Sequence, residues 1–288
     1  MKTVYDYFEP TYSYNQDKAY IEFEVEHTEA LESNAYYFNH PEWAKEYLTY
    51  CHRDQYFLDR WKYASGDWTG KIVVDIGCGP GNINANLQEK PELLIGIDVA
   101  PTSLMLAAQQ GYVPILADAH KLPFISSFAD IVVLNATLHH CENMQEVLKE
   151  AARLVKPGGI LITDHDPQLS AWNYTGLAKL LWNFRLYIYN WIGHSFHKED
   201  AQQKAALKSE IHHKPGDGVT TNLFIETLLP QNFDVRVFPH NHTEGESIFK
   251  GKSGNASMQY VIGNILSGRN PFATESALSL MCVAKKKF

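Results

Sequence analysis

The sequence predicts an α/β protein built on a doubly wound, mostly parallel sheet, with helical insertions. Three observations lead there. Short runs of branched apolar residues alternate with helix-compatible stretches between residues 72 and 164. The first run leads into alternating glycines, Asp75-Ile76-Gly77-Cys78-Gly79-Pro80-Gly81-Asn82, where a backbone without side chains can approach a ligand closely. The second, fourth and fifth runs end in Asp98, Asn135 and Asp164. In an open parallel sheet such carboxyl ends share one edge, and ligands sit there at the switch in strand order.

Taken in order, residues 1–70 read as an N-terminal arm. Ile21-Glu22-Phe23-Glu24-Val25-Glu26 alternates apolar and acidic residues like a half-buried strand, suited to a pocket wall or a homodimer contact. Trp43, Tyr47, Cys51, Leu58 and Trp61 follow helical spacing, so one amphipathic helix is expected from Pro41 to Trp61, closed by Gly66. Residues 71–167 hold the five strands: Ile72–Ile76, Leu93–Asp98, Val113–Leu116, Asp130–Asn135 and Ile160–Asp164. Asn143 and Glu146 have capping-box spacing ahead of a helix that buries Val147, Leu148, Ala151 and Leu154. Residues 168–220 form a helical cap, with Leu177, Leu180, Leu181, Phe184, Ile188 and Trp191 on one stripe. Trp182 and other aromatics lie on further faces, so this helix needs more than one packing partner. Residues 221–288 supply the last strands, interrupted by an insertion at 239–275.

Composition narrows the function. Of 288 residues, 45% are hydrophobic and 20% charged, which describes a globular chain with a sizeable core. A net charge of -8 argues against nucleic-acid backbones as a partner. Cys51, Cys78, Cys141 and Cys282 form no disulfide framework or zinc spacing, and no run is long and apolar enough for membrane insertion. A cytoplasmic location is expected.

The pattern D-x-G-x-G-x-G at 75–81 resembles the first motif of class I S-adenosylmethionine-dependent methyltransferases, and Lys156-Pro157-Gly158-Gly159 before the fifth strand resembles another of their hallmarks. The likeness covers residues 72–164 and fades in the insertions. It implies a seven-stranded, Rossmann-like methyltransferase sheet. It also implies S-adenosylmethionine as methyl donor, with S-adenosylhomocysteine as product. The resemblance puts Gly77, Cys78, Gly79 and Gly81 at the methionine moiety, with Asp75 either orienting the first turn or reaching the ligand's amino group through water. Asp98 and Val99 are implied at the ribose and adenine face, Asp118 and Ala119 at the adenine, and Asn135 and Ala136 at the methionine. A helix of the arm covers the cofactor in this family, so Tyr36, Tyr37 or Trp43 is expected to touch it.

Base candidates for a hydroxyl acceptor are His139, His140, Asp164, His165 and Asp166. Related sugar O-methyltransferases carry a similar His-His and Asp, which maps onto His139, His140 and Asp164. No metal is expected: Asp164-His165-Asp166, His194-x-x-His197 and His240-x-His242 offer ligands, but 13 histidines give such spacings by chance. The expected function is methylation of a small, partly apolar metabolite at oxygen, nitrogen or carbon, and the resemblance is to the broad group that includes quinone-, sterol- and sugar-modifying enzymes. A degenerate, non-catalytic donor-binding scaffold or sensor is the alternative. Asn82, in place of a third small residue, disfavours a nicotinamide enzyme.

Overall fold

The computed structural model describes residues 2–26, 28–192, 205, 208–214 and 216–288, with side chains left undescribed at 185–192. Nine strands among them form one sheet: β1 (Tyr14–Asn15), β2 (Ile21–Phe23), β3 (Ile72–Ile76), β4 (Leu93–Asp98), β5 (Val113–Leu116), β6 (Ala129–Asn135), β7 (Val155–Pro167), β8 (Phe233–His240) and β9 (Ser279–Lys286). Their order is β1-β2-β5-β4-β3-β6-β7-β9-β8. Strands β2 to β7 pair in parallel, while β9 runs antiparallel between β7 and β8. The seven strands β3–β9 are those expected, and the N-terminal arm adds two at one edge. Val73, Val74 and Ile76 of β3 and Ile131 to Leu134 of β6 are buried, as strands covered on both faces require. The chain leaves β3 toward β4 and β5 and returns to β6 on the other side, so the order reverses beside the carboxyl end of β3.

Helices α4 (Asn82–Leu87), α5 (Pro101–Gln109) and α6 (Met144–Leu154) connect these strands. Asn143 caps α6, accepting from the Glu146 amide at 3.1 Å, and Val147, Leu148, Ala151 and Leu154 are buried.

The arm departs from its expected form. Instead of one helix over 41–61 there are α1 (Glu29–Asn39), α2 (Pro41–Tyr50) and α3 (Gln55–Ser65). Cys51 is extended, His52 takes φ 62°, and Asp54 restarts the chain by accepting from the Phe57 amide at 2.9 Å. The apolar period runs on across this break, so periodicity hid it. The Asn82 side chain pins the break, donating to the carbonyls of Tyr47 (3.0 Å) and Cys51 (3.2 Å). Asn82 is thus a tie between the arm and the glycine turn.

After the sheet's fifth parallel connection come α7 (Leu169–Trp172) and α8 (Gly176–Ile192), then α9 (Thr221–Leu228) and α10 (Met258–Leu266). Trp172, Tyr174 and Ala178 form a small core of their own, with Trp182, Tyr260 and Leu266 packed against it. Of the expected α8 stripe, Leu177, Leu180, Leu181 and Phe184 are exposed; the side chains of Ile188 and Trp191, and the cap region 193–204, lie outside the described residues.

Candidate functional site

Two cavities meet at the carboxyl edge of the sheet. The first, about 870 Å³ with its mouth, is lined by Asp75, Gly77, Cys78 and Gly79 after β3, and by Asp98 and Val99 after β4. Asp118, Ala119 and His120 after β5, and Asn135, Ala136 and His140 after β6, complete the sheet side. Helix α1 closes it with Ala30, Leu31, Asn34 and Phe38, and Tyr47 and His52 reach in from α2 and the break. The second, about 900 Å³, lies between His139, His140, His165 and His242 on one side and Tyr37, Trp172, Glu210, His213 and Tyr260 on the other. Phe38, Tyr47, Ala136 and His140 line both cavities.

The glycine turn is shaped by contacts. A β-carbon on Gly77 would stand 2.4 Å from Thr137, and φ there is 69°, so this position excludes every side chain. Gly79 faces open space and its amide donates to Asp98 Oδ2 at 2.8 Å. Asp98 Oδ1 accepts from the Ala100 amide at 2.9 Å. A carboxylate offers about four acceptor sites, so capacity for two further hydroxyl donors remains. Gly81 does not line the cavity: a β-carbon there would meet Tyr112 and Ala107. Its glycine is demanded by packing of the turn on α5, which corrects its expected place at the methionine moiety.

Asp75 is buried, and its Oδ2 accepts from the Tyr112 hydroxyl at 2.8 Å. Burial pushes its carboxyl up to about 8. Its other oxygen has no partner, and neither have Asn34 Oδ1, Asn82 Oδ1 and Asn135 Oδ1. Three orphaned amide oxygens, joined by the Asp75 carboxyl once it ionises, all on residues that line the first cavity, form a site short of donors. The ammonium, ribose hydroxyls and adenine amine of S-adenosylmethionine are such donors, so the residues present fit it.

Asp118 is partly committed. Its Oδ1 accepts from the His120 amide (2.9 Å) and pairs with His120 Nδ1 (2.7 Å). The bond to His120 lowers the Asp118 pKa against burial, and the same bond raises that of His120. Oδ2 remains as acceptor.

The histidine–carboxylate pairing differs from expectation. Asp164 is fully buried and does not line either cavity; it holds Arg60 Nε at 3.0 Å and His240 Nε2 at 2.7 Å. Arg60, His165 and His240 hold its carboxyl well below the usual range in spite of burial. The partner of the loop histidines is Asp166, whose Oδ1 accepts from His139 Nδ1 at 2.8 Å and from the His139 amide at 3.0 Å. Burial raises Asp166 to about 7 and depresses His139 and His140 to about 3. His140 Nδ1 lies 2.7 Å from the Ser209 carbonyl. A carbonyl only accepts, so Nδ1 carries the hydrogen and Nε2 keeps its lone pair.

Sequence reasoning placed the covering contact on Tyr36, Tyr37 or Trp43. The structure gives it to α1, through Asn34, which donates to the His140 carbonyl at 3.0 Å, and Phe38. Tyr37 lines the second cavity, and Trp43 stacks on His40. Tyr47, His52 and His120 were also missed. Only the Asp-x-His spacing at 118–120 could have signalled one of them. Among the described residues, no group of three potential ligands is placed to hold a metal ion, and no helix is long and apolar enough to cross a membrane.

Strand order, glycine turn and a donor-poor crevice at the switch point give residues 72–164 the build of a class I S-adenosylmethionine-dependent methyltransferase domain. Residues 74–163 match the family model described as Methyltransferase domain. The chain is 34% identical over 96 residues to the biotin biosynthesis bifunctional protein BioHC of Saccharophagus degradans, covering 31% of this chain and 17% of that one. It is 30% identical over 91 residues to the malonyl-[acyl-carrier protein] O-methyltransferase of Enterobacter lignolyticus, covering 31% and 36%. The chain therefore spans about a sixth and a third of these curated relatives. A solved SAM-dependent methyltransferase of Thermotoga maritima shares the fold with a TM-score of 0.50 at 16% identity, covering 88% of this chain and 99% of that one. Haemonchus contortus phosphoethanolamine N-methyltransferase 2 does so at 0.53 and 13%, covering 93% and 62%.

Proposed function

We propose that the protein transfers a methyl group from S-adenosylmethionine to a hydroxyl of a small, partly apolar metabolite. The observation that carries this reading is the pair of cavities sharing His140, one short of hydrogen-bond donors and the other walled by aromatic rings. Asp75, Asn135 and the Gly77–Gly79 turn hold the methionine part of the donor, Asp98 the ribose, and Asp118 with Ala119 the adenine. When bound, the donor supplies a methyl group on a positively charged sulfur that leaves as a neutral thioether.

The protein's share is alignment and one proton. Holding acceptor and donor in neighbouring cavities replaces a collision by a fixed approach. The His140 Nε2 lone pair takes the hydroxyl proton as the new carbon–oxygen bond forms, and the Ser209 carbonyl holds the ring in the tautomer this requires. Burial keeps His140 neutral, so this nitrogen stays ready at ordinary pH. His139, oriented by Asp166, forms the adjacent wall. Tyr37, Phe38, Trp172 and Tyr260 supply apolar area to the acceptor.

The test is incubation of the purified protein with donor carrying a labelled methyl group and a metabolite extract. Label should appear in a small molecule heavier by one methylene, and His140→Gln should suppress transfer far more than donor binding. Donor binding with no transfer into any metabolite would favour the sensor reading.

A further inference from the structure

Helices α8 and α10 pack side by side, and each turns large apolar side chains outward. Leu177, Leu180 and Leu181 of α8 are 53%, 51% and 43% exposed; Met258, Ile262 and Ile265 of α10 are 72%, 49% and 56% exposed. Each trio has the spacing of a single helix face. Away from these helices and Phe272 in the loop after α10, the exposed large apolar side chains other than tyrosines are scattered single residues, Met105, Leu229 and Phe288, among those described. Scattered residues need no explanation, whereas a contiguous patch marks an interaction surface. On its other side α8 is anchored, with Ala178 and Trp182 joining Trp172, Tyr174 and Tyr260 in the small core.

Charge selects the occupant. The chain has 33 acids to 25 bases and a net charge of -8. Yet the sequence of α8, GLAKLLWNFRLYIYNWI, carries Lys179 and Arg185 and no acid, and α10, MQYVIGNIL, carries no charge at all. Two basic residues among leucines, tryptophans and tyrosines make the composition of a helix that lies in a bilayer interface. The charges within α8 do not suit a span, in agreement with the absence of any described membrane-crossing helix.

We propose that the outer face of α8 and α10 seats the protein on an anionic lipid surface. Lys179, exposed beside Leu180, meets the headgroups while the leucines, isoleucines and Met258 enter the boundary with the acyl chains. Trp172 and Tyr260 belong both to the core that carries these helices and to the wall of the second cavity, so docking brings the lipid phase beside that cavity. The docking itself does not depend on the methyl-transfer reading.

The full chain is tested by co-sedimentation with phosphatidylcholine vesicles containing phosphatidylglycerol, and with phosphatidylcholine alone. The expected result is binding to the anionic vesicles, weakened about tenfold or more by Leu180→Glu with Ile262→Glu, and reduced several-fold by Lys179→Glu. These side chains are exposed, so the variants should retain the parent's melting temperature and donor affinity. Failure of the parent to sediment with anionic vesicles would overturn the proposal, as would equal sedimentation of the variants. A dimer in light scattering that the same substitutions dissolve, without vesicle binding, would assign the face to a second copy of the chain.

Discussion

Donor binding should release a proton, and Asp75 should be its source. The carboxyl is buried, keeps one oxygen without a partner, and is pushed up to about 8 by burial. The sign follows from the folded value lying above the unfolded one. The protonated form is the one the fold prefers, its contribution is complete below pH ~4, and it fades as pH rises through about 8. An ammonium brought against the orphaned oxygen reverses this preference, because an opposite charge stabilises the carboxylate. At pH 6.5 nearly all of the free protein carries the proton, while the ligand amine, with an ordinary value of about 7.7–8.0, stays charged. Binding S-adenosylhomocysteine should therefore release close to ~1 proton per site at pH 6.5. Calorimetry in two buffers of unlike ionisation enthalpy reads that number directly as the slope of observed heat against buffer heat. Affinity should also rise as pH increases from 5 toward 8. Asp75→Asn, which keeps the shape and the bond from Tyr112, should flatten both dependences. An unchanged slope in that variant, or a slope of zero in the parent, would refute the placement of the amino group at Asp75.

Asp98→Ala should weaken donor binding by about tenfold or more, since it removes both the ribose acceptor and the anchor of the Gly79 amide; fluorescence titration checks it. His140→Gln should lower turnover by about 10²–10⁴-fold, far more than it lowers donor affinity. Because burial and His139 depress His140 to about 3, the acid limb of kcat/KM should lie below pH 5, and a limb near 6.5 would argue for another base. Arg60→Leu leaves Asp164 buried without its cation and should cost about 3–5 kcal/mol, read by urea unfolding. Asn82→Ala, which frees the carbonyls of Tyr47 and Cys51, should cost about 1–3 kcal/mol and loosen α2, visible as faster amide exchange over residues 41–54.

The sheet was legible because its signal is local: each strand is a buried apolar run, and each loop after it carries a residue type the ligand edge needs. Asp75, Asp98, Asp118 and Asn135 could be read together for that reason. What lay beyond reach depends on chain segments far apart in sequence. Nothing near Asn34 announces that its amide will reach the carbonyl of His140, 106 residues on. The break between α2 and α3 is held by Asn82 from across the molecule. That residue was conspicuous as a departure from a dinucleotide pattern, but its reason is a tie to two carbonyls of another element. The exposed stripe of α8 was visible as a periodicity, yet periodicity cannot say which of several apolar faces finds a partner.

The exchange of Asp164 for Asp166 has a geometric cause that a strand pattern conceals. Residues two apart on a strand face the same way, so on a regular β7 both acids would compete for the same neighbours. Between Thr163 and Asp166 the pairing with β9 slips by one residue, and His165 takes φ 62°. A bulge of this kind turns the side chains on either side of it in different directions. Asp164 is thereby given to Arg60 and His240, joining α3 and the end of β8 to β7, while Asp166 reaches His139 at the cavity wall. Two identical side chains thus receive opposite pKa shifts: the Arg60 guanidinium and the hydrogen bond to His240 hold one well below the usual carboxylate range, and burial lifts the other to about 7. One acid holds the arm to the sheet and the end of β8 to β7; the other orients an imidazole at the cavity wall. The strained residue between them makes both possible on one strand.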